Sequence, residues 1–399
     1  MSWLAALVIA ATAGLTIWIT YATLQGLWWS WRNRSRVLRL WVVARRSYAT
    51  EPGATAPGSS KAADSPGQRW IDLWLVRLSP APLPSFAAGQ YLTVRPPPGT
   101  PKRAYSIANG PRWPWAYRLI VQIEPDGRTS PWIDQHARFG RRLQADPPRG
   151  SFGWRPEHHA APLVLVAGGV GITPMLAIVE RVAKAGGHGH AVVLIHSVRD
   201  PALAVDRDRL SRLASRTPWL TYRLFLTGRA SPAAECPIHD AGLWERRRVT
   251  VEDLLETDTN GHAHYFFCGS NAFMAALMDG LRARGVEEAR LHYEAFSLDV
   301  EGGTRIQDCR FGSQVFDFEP EHGTLLSALE AAGCTLEADC RVGDCGVCRV
   351  RLATGQVHWL VPEAQSSAAS GEVLVCCTRP LGRVTLEPVT DRDAIAHAG

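Results

Sequence analysis

The pattern of apolar and polar positions divides the chain into regions of different texture. Residues 1–31 form one apolar run, and residues 68–157 carry short β-branched and aromatic runs between Pro and Gly clusters. In residues 158–298 apolar runs alternate with helical patterns, and residues 299–399 return to short strands around one helix. We therefore predict a multidomain chain, with an N-terminal transmembrane helix, a linker over residues 32–67 and three domains.

The first region has no charged residue from Ser2 to Trp31. Its stretch LAALVIAATAGLTIWITYATLQGLWW exceeds the roughly 20 apolar residues that span a bilayer, and it ends in tryptophans followed by four arginines. This order predicts a single-pass anchor in the inner (cytoplasmic) membrane, bound to membrane lipid, with the other domains facing the cytoplasm. A cleaved signal peptide is the alternative, but its basic start is missing and its apolar core is usually shorter.

Residues 32–67 contain a small apolar patch, Leu38–Ala44, and then a tract rich in Ala, Pro, Gly and Ser from Thr50 to Gly67. The patch either lies along lipid headgroups or packs on the body of the protein. The tract has hardly any large apolar residue, so it cannot bury enough surface to order itself. We interpret the region as a juxtamembrane segment and flexible linker.

The remaining regions predict three different architectures. The runs IDLWLVRL, QYLTVRP and YRLIVQIE in residues 68–157 indicate an antiparallel barrel or sandwich. In residues 158–298, LVLVAGG, a helical pattern from Thr173 to Ala185, AVVLIHSV, TYRLFLT and HAHYFFCG indicate a doubly wound parallel α/β sheet. Residues 299–399 combine a hairpin at CRFGSQVFDF, the helix TLLSALEAAG and the strand GRVTLEP.

Charge and cysteine usage narrow the function. The 399-residue chain has a formal net charge of +5, and its Lys and Arg are spread along the sequence, so no basic face predicts a nucleic-acid partner. Its nine cysteines are an odd number and crowd near the C-terminus, which favours metal ligation over a disulfide framework.

The sharpest chemical signal is the spacing C-x4-C-x2-C at Cys340, Cys345 and Cys348, with a distant fourth cysteine at Cys376 or Cys377. This spacing is typical of a plant-type [2Fe-2S] cluster, in which four thiolates hold two irons. A structural zinc site is the alternative, but such sites usually pair C-x2-C with a second close pair.

A second signal is the glycine-rich turn after the apolar strand Leu163–Ala167. Gly168, Gly169 and Gly171 let the backbone approach a pyrophosphate. Thr173 as N-cap and Pro174 at the first helical position leave helix amides available to the anion. Pro174 stands where the standard dinucleotide fingerprint has its third glycine, so the turn alone is a weak signal.

Four motifs then occur together in chain order: Arg103-Ala104-Tyr105-Ser106, GGVGITPM, Phe267-Cys268-Gly269-Ser270 and His292-Tyr293-Glu294-Ala295-Phe296. Together they resemble the ferredoxin-NADP reductase superfamily, and the cysteine-rich end makes the pattern similar to the oxygenase-reductase type. The resemblance implies a flavin-binding β-barrel, an NAD(P)-binding domain and a ferredoxin domain of β-grasp α+β fold. It also puts the fourth ligand at Cys376, two residues before Arg379-Pro380.

The resemblance assigns flavin-binding roles to the first motif. Tyr105 stacks on the flavin ring, Ser106 hydrogen-bonds near its reactive nitrogen, and Arg103 pairs with phosphate. Ala104 lies in the same element and belongs to the cofactor-binding set.

A second flavin element is similar to the family's G-x-x-S motif. The segment from Gly127 through Thr129, Ser130 and Pro131 reads as a turn, N-cap and N1 proline of a short helix, whose amides form a nest for phosphate. The segment favours FAD, with FMN as the alternative.

The resemblance places the nicotinamide at the end of the strand HYFF. Cys268 and Gly269 lie beside the nicotinamide, and Glu294 and Phe296 lie near the flavin. The catalytic set is therefore Tyr105, Ser106, Cys268 and Glu294. Small or aromatic core residues are the alternative interpretation of Cys268 and Phe296.

Ser197 and Arg199 in HSVRD are candidates to meet a ribose 2′-phosphate. Arginine at this point also occurs in relatives that use NADH. The choice between NADH and NADPH therefore stays open, with NADH favoured by the resemblance.

These parts predict an NAD(P)H-dependent electron-transfer reductase that passes electrons through flavin to the cluster. The cluster domain comes last, as in oxygenase-reductase components, so the predicted acceptor is a partner oxygenase, hydroxylase or desaturase. The alternatives are a membrane quinone or ferric reductase (diaphorase) and a redox sensor without a dedicated oxygenase partner.

Overall fold

A computed structural model describes residues 37–50, 67–79, 82–111, 115–155, 158, 161–187, 189–228, 243–256, 258, 261–296, 304–365 and 368–389. The predicted anchor over residues 1–31 and the tract 51–66 of the predicted tether lie outside these ranges. Among the helices that the described ranges contain, none is both long and apolar enough to cross a bilayer.

The first domain is a six-stranded antiparallel barrel. Its strands are β1 (Leu38–Ala49), β2 (Arg69–Val76), β3 (Tyr91–Val94), β4 (Arg103–Ser106), β5 (Ala116–Ile123) and β6 (Arg142–Ala145), and helix α1 spans Thr129–His136. The strand order is β4-β3-β6-β1-β2-β5, and a bridge between Ile107 and Leu119 joins the two outer strands. The predicted antiparallel barrel is confirmed.

Strand β1 corrects the prediction that residues 32–67 are only a juxtamembrane segment and linker. Leu38, Leu40 and Val42 are buried in the barrel core and alternate with the exposed Arg39, which is the period-two pattern of a strand with one buried face. The strand pairs with β2 over eight positions and with β6 over four. The barrel therefore begins about thirty residues earlier than predicted, with the first strand packing on the body.

The second domain is a six-stranded parallel sheet. Its strands are β7 (Leu163–Gly168), β8 (Val192–Val198), β9 (Leu220–Leu226), β10 (Leu243–Glu245), β11 (His264–Gly269) and β12 (Leu291–Ala295). Its helices are α2 (Ile172–Lys184), α3 (Arg207–Arg216), α4 (Val251–Leu255) and α5 (Asn271–Ala283). The order β10-β9-β8-β7-β11-β12 reverses direction at β7, so a ligand crevice is expected at the carboxyl ends of β7 and β11.

Alternation along β7 gives this sheet two cores. Leu163 and Leu165 pack with α2 and α3 on one face, and Val164 and Val166 pack with α4 and α5 on the other. The predicted doubly wound sheet is confirmed, because helices cover both faces.

The third domain combines a mixed sheet with one main helix. Its strands are β13 (Ile306–Phe311), β14 (Gln314–Phe318), β15 (Arg349–Thr354), β16 (Val357–Trp359), β17 (Glu372–Leu374), β18 (Thr378–Pro380) and β19 (Thr385–Pro388). Its helices are α6 (Leu325–Ala331) and α7 (Pro362–Gln365). The order β14-β13-β19-β15-β17, with β13 parallel to β19, fits the expected β-grasp arrangement.

Candidate functional site

One cavity of about 910 Å³ lies where the three domains meet. The barrel, the parallel sheet and the cysteine-rich loop each contribute part of its wall. The predicted site residues that line it are Arg103, Ala104, Ser106, Glu294, Phe296, Cys340 and Cys376. Residues predicted for the flavin and for the cluster therefore face one shared space.

Ser106, Cys268 and Glu294 come together at the centre of this site. The Ser106 hydroxyl donates to Glu294 Oε2 at 2.9 Å, and Cys268 Sγ lies 4.0 Å from the same oxygen. Cys268 and Glu294 are register partners on the neighbouring parallel strands β11 and β12, so their side chains share one face. Ser106 closes β4 of the barrel, which makes this contact a direct link between two domains.

Burial controls the protonation of Glu294 and Cys268. Burial raises the pKa of Glu294 to about 8, with Asp344 adding to the rise and the Ser106 hydrogen bond opposing it. Burial also raises the pKa of the Cys268 thiol well above its ordinary value, and the charge of Glu294 adds to that rise. Both side chains are therefore mainly neutral at pH 7, and a protonated Glu294 can also donate a hydrogen bond.

The raised pKa of Glu294 predicts a pH-dependent stability. An unfolded glutamate releases its proton near 4.5, whereas folded Glu294 holds its proton to about pH 8. Its contribution to stability is therefore complete below pH 4.5 and is lost as the pH rises to about 8, by up to ~1.4 kcal/mol per pH unit. We expect Glu294→Gln to remove this loss, so that the variant gains stability over the wild type between pH 6 and 8.5.

Urea unfolding of the flavin- and cluster-loaded protein at several pH values measures this difference. Glu287→Gln is the matched control, because Glu287 is an exposed carboxylate seven positions earlier in the chain. Parallel pH profiles for the wild type and Glu294→Gln would contradict the assignment.

The glycine turn brings the ends of β7 and β11 into close contact. A Cβ atom on Gly171 would lie 2.1 Å from the Cys268 carbonyl oxygen, and one on Gly269 would lie 3.1 Å from Gly168 Cα. Gly169 has a φ of +57°, in the left-handed region that glycine tolerates. The glycines thus allow close packing at the crevice as well as the backbone approach predicted for a pyrophosphate.

The start of α2 differs from the prediction. The helix begins at Ile172 with Gly171 as its N-cap, so Thr173 and Pro174 are its second and third residues. The Thr173 hydroxyl donates to the Val170 carbonyl at 3.1 Å and does not cap the helix. The prediction failed because a 3-10 turn over Gly169–Gly171 runs directly into the helix.

His196 supports the same turn and is absent from the predicted site residues. Its Nε2 donates to the Gly169 carbonyl at 3.1 Å, and burial lowers the pKa of this imidazole to about 4, so the ring is neutral. A histidine inside the otherwise apolar run VVLIHSV, next to a glycine turn, was the signal available in the sequence. Its role is to position the carbonyl of the left-handed glycine.

The predicted ribose-binding residues lie at the carboxyl end of β8. Ser197 is the register partner of Gly168, and the Arg199 side chain is exposed beyond the strand. This edge adjoins the crevice, so both residues remain predictions for the nucleotide site.

The second predicted flavin element, at Gly127, Thr129 and Ser130, differs from the prediction at the start of its helix. Helix α1 begins at Thr129 after Arg128, and no side chain caps it. The Thr129 hydroxyl donates to the Pro101 carbonyl at 2.5 Å, and Ser130 Oγ accepts the Glu124 N–H at 3.0 Å. A Cβ on Gly127 would lie 3.1 Å from the Glu124 carbonyl oxygen, so this glycine completes the same tight turn. The predicted N-cap is wrong, because the Thr129 hydroxyl binds the Pro101 carbonyl and the Ser130 hydroxyl serves the turn at Glu124.

The Arg103 motif provides a positive charge at the cavity. Tyr105 is the register partner of Leu92 and packs against the barrel core, so its stacking role stays a prediction. Burial and the nearby Arg341 guanidinium lower the pKa of Arg103 to about 10. An anion such as a phosphate would relieve this repulsion, which fits the predicted phosphate contact.

Four cysteines converge beside the same cavity. The Cys340 N–H lies 3.5 Å from Cys345 Sγ, and the Cys345 N–H lies 3.3 Å from Cys340 Sγ. The Cys376 thiol hydrogen-bonds with those of Cys340 and Cys348, and hydrogen bonds from Cys345 and Cys376 lower the pKa of Cys340. Four cysteines linked by these pairwise contacts, with backbone N–H groups directed at the sulfurs of Cys340 and Cys345, are a donor set that fits a [2Fe-2S] cluster.

Left-handed backbone shapes this loop. Arg341, Gly343 and Gly346 have φ values of +63°, +88° and +68°. A Cβ on Gly343 would lie 2.9 Å from Cys377 Sγ, so this glycine makes room for the adjacent buried cysteine. Cys377 Sγ lies 3.5 Å from the Leu374 carbonyl, whereas the Cys376 thiol hydrogen-bonds with those of Cys340 and Cys348. This arrangement favours Cys376 as the fourth ligand.

Two aspartates dock the loop on the barrel. Ser151 Oγ donates to Asp344 Oδ1 at 2.6 Å, and Arg149 reaches Asp339 Oδ2 at 3.2 Å. Lys102 Nζ also lies 3.5 Å from Asp339 Oδ1. These contacts hold the cysteine loop against the barrel domain. The sequence alone could not predict them, because each aspartate lies far along the chain from its partner.

Two family models match the chain. Residues 165–279 match an oxidoreductase NAD-binding domain, and residues 311–381 match a 2Fe-2S iron-sulfur cluster binding domain. The second match agrees with the cluster rather than the zinc alternative.

The chain matches similar proteins over most of their length. The chain is 28% identical to the stachydrine N-demethylase reductase subunit Stc4 of Rhizobium meliloti, covering 75% of this chain and 87% of that protein. It is 29% identical to the ferredoxin reductase component of 3-ketosteroid-9-alpha-monooxygenase from Mycobacterium tuberculosis. That match covers 74% of this chain and 83% of that protein. The fold is similar to that of phthalate dioxygenase reductase, with a TM-score of 0.58 and 22% identity over 88% of this chain and 98% of that one.

Proposed function

Because the chain is an NAD(P)H-dependent electron-transfer oxidoreductase that joins an NAD-binding domain to a 2Fe-2S domain, we propose that it is the reductase component of an oxygenase system. Electrons pass from the nicotinamide through a flavin to the cluster, and then to a separate oxygenase, hydroxylase or desaturase. One observation carries this proposal. Ser106 of the barrel, Glu294 of the nucleotide domain and the cluster-loop cysteines line a single cavity.

A flavin held in this cavity would supply the conversion between a two-electron hydride donor and a one-electron cluster. The protein's own contribution is positioning, because hydride transfer needs the reacting atoms about 3 to 3.5 Å apart. Ser106 and neutral Glu294 supply hydrogen-bonding groups at the centre of the cavity without adding charge. Arg103 would supply the positive charge for a cofactor phosphate.

We propose FAD as the flavin, with FMN as the alternative, and NADH as the preferred donor. The turn around Gly127 supports FAD through its resemblance to the family's phosphate element. Extraction of the flavin from the purified protein, followed by chromatography, distinguishes FAD from FMN. Anaerobic reduction with each nucleotide ranks NADH against NADPH.

The names of the relatives support the oxygenase partner. Both reductases compared above are described as components of a demethylase or a monooxygenase. The test is to purify the oxygenase that associates with the full-length chain and to measure NADH-driven turnover of its substrate. Turnover that requires this chain supports the proposal, whereas rapid quinone or ferric reduction without any coupled oxygenase supports a diaphorase instead.

We also propose that residues 1–31 anchor the chain in the inner membrane, with the catalytic domains in the cytoplasm. The uncharged run followed by four arginines supports this orientation. Carbonate-washed membranes should retain the full chain and release a chain that lacks residues 1–31. Recovery of the full chain in the soluble fraction would contradict the anchor.

A further inference from the structure

A basic and aromatic surface patch lies on the barrel beside the first half of β1. Its members are Arg39, Trp41 and Val43 of β1, Arg138, Phe139 and Arg141 of the turn that follows α1, and Arg142 of β6. All are exposed except Trp41, which is half-buried. The proposed electron path does not use these residues, which we call the basic patch.

Strand pairing brings the basic patch together. Trp41 lies on the outer face of β1, because the residues on either side of it are buried in the barrel core. Its register partner on β6 is Arg142. The Val42 N–H donates to the Arg141 carbonyl at 2.9 Å, and the Gly140 N–H donates to the Val42 carbonyl at 2.9 Å. The turn over residues 138–141 is therefore held against β1 by backbone hydrogen bonds.

The positive charge of the patch is not balanced within its own segments. Neither β1 nor residues 135–145 contain an aspartate or a glutamate. Asp134, just before these residues, is paired with Arg45 and Arg69. The four arginines of the patch therefore present a local positive charge, which favours an anionic partner.

The patch also exposes apolar surface. Phe139 is 79% exposed, which is more than any other large apolar side chain in the described residues, and Val43 is 40% exposed. Apolar and aromatic side chains beside arginines suit the lipid headgroup region, where rings enter the boundary of the acyl chains and cations stay with the headgroups. This combination favours a lipid surface over a purely polar acidic partner.

The length of chain before β1 keeps the patch near the proposed anchor. Leu38 comes seven residues after Trp31, where the proposed anchor ends. An extended chain covers at most about 3.6 Å per residue, so β1 begins within about 25 Å of that end. The barrel face around the start of β1 is thus within reach of the headgroups.

We infer that the basic patch binds the anionic headgroups of the membrane in which residues 1–31 are proposed to insert. The inference rests on the proposed anchor for its choice of partner. Arginines of the patch pair with lipid phosphates, and Phe139 enters the boundary of the acyl chains. The contact adds a second attachment point to the anchor, which fixes the orientation of the barrel on the membrane.

Hydrogen exchange of the full chain, loaded with flavin and cluster and bound to lipid vesicles, tests the inference. Vesicles of phosphatidylcholine are compared with vesicles that also contain anionic phosphatidylglycerol. Amides over residues 137–143 should exchange at least about tenfold more slowly on the anionic vesicles, because each arginine near an anionic surface strengthens binding several-fold. Salt at about 1 M should remove the difference, because it shortens the screening length to about 3 Å.

Charge reversal identifies the patch. Arg141→Glu combined with Arg142→Glu should remove most of the difference between the two lipids, and flavin reduction by NADH should be unchanged. Arg212→Glu combined with Arg216→Glu is the matched control, because it makes the same charge change at two exposed arginines of helix α3. The control should keep the slower exchange on anionic vesicles. An equal loss in both variants would overturn the inference, because the effect would then follow net charge and not the patch.

Vesicle flotation separates this inference from the proposed anchor. A full chain that floats with both lipids but exchanges equally on both would keep the anchor and overturn the inference. A chain that floats only with anionic vesicles and is released by salt would support the patch and contradict the anchor. Equal exchange on both lipids, with protection of residues 137–143 by the purified oxygenase, would overturn the inference and assign the patch to a protein partner.

Discussion

Cys345→Ala is expected to keep hydride transfer to the flavin and to lose one-electron delivery through the cluster. The variant should still take hydride from NADH onto its flavin, because the Ser106, Cys268 and Glu294 group lies in the other two domains. It should lose iron and acid-labile sulfide, because a [2Fe-2S] cluster needs four protein ligands. One-electron delivery to cytochrome c should then fall by roughly 100-fold or more, since removal of a ligand exceeds the 10 to 100-fold cost of second-shell changes.

Stopped-flow absorbance under anaerobic conditions measures the two steps on one sample. Flavin bleaching reports hydride transfer, and cytochrome c reduction reports delivery. Unchanged delivery by an iron-free Cys345→Ala protein would show that electrons leave directly from the flavin. A wild-type protein that contains zinc and no iron would remove the cluster from the proposal altogether.

Cys376 and Cys377 are adjacent in the chain, so their alanine variants test which of the two is the fourth ligand. Cys376→Ala should behave like Cys345→Ala, because the Cys376 thiol meets Cys340 and Cys348. Cys377→Ala should keep its iron, because Cys377 Sγ is directed to the Leu374 carbonyl at 3.5 Å. Loss of iron in Cys377→Ala but not in Cys376→Ala would identify Cys377 as the fourth ligand.

The sequence predicted the parts of the site that depend on local spacing. Cys340, Cys345 and Cys348 are close in the chain, so one short loop brings them together. Apolar runs of strand length likewise predicted the parallel sheet, because its central strands β7, β8 and β11 are buried on both faces. In both cases the relevant geometry lies within a few neighbouring residues.

The sequence could not predict what depends on register between distant segments. Strand β1 was assigned to a juxtamembrane segment because arginines follow the apolar run, although its first half pairs with β6 and its second half with β2. The basic patch joins β1 to the turn over residues 138–141, which requires β1 and β6 to be paired. The contact of Asp206 with Arg118 has the same origin, because it joins two domains.

Arg118→Leu is expected to cause the largest loss of stability among the variants considered. The guanidinium is buried on β5, donates to both oxygens of Asp72 at 2.9 and 2.7 Å, and reaches Asp206 of the nucleotide domain at 2.5 Å. Leucine would leave the buried Asp72 carboxylate without its cation and would leave Asp206 with Arg209 alone. Removal of one partner from a buried pair costs about 3–5 kcal/mol. Urea unfolding of the cofactor-loaded protein at pH 7 measures the loss.

The matched control is an arginine whose ion pair with a carboxylate is exposed to solvent. Arg351 pairs with Glu387 at 2.9 Å, and both side chains are largely exposed, at 64% and 43%. Arg351→Leu should therefore cost about 0–1 kcal/mol, because water already solvates both charges. Equal losses in the two variants would show that the Arg118 network does not join the domains energetically.

The pH dependence of the Arg118→Leu loss distinguishes unpaired charge from a simple packing defect. Burial alone would raise the pKa of Asp206, but hydrogen bonds and charge from Arg118 outweigh it and lower that pKa. The stabilisation from this pair is therefore present above the ordinary aspartate pKa and is lost as the pH falls through the lowered value. The difference between the wild type and Arg118→Leu should shrink in acid, because protonation neutralises the carboxylates. A packing defect would leave that difference constant with pH.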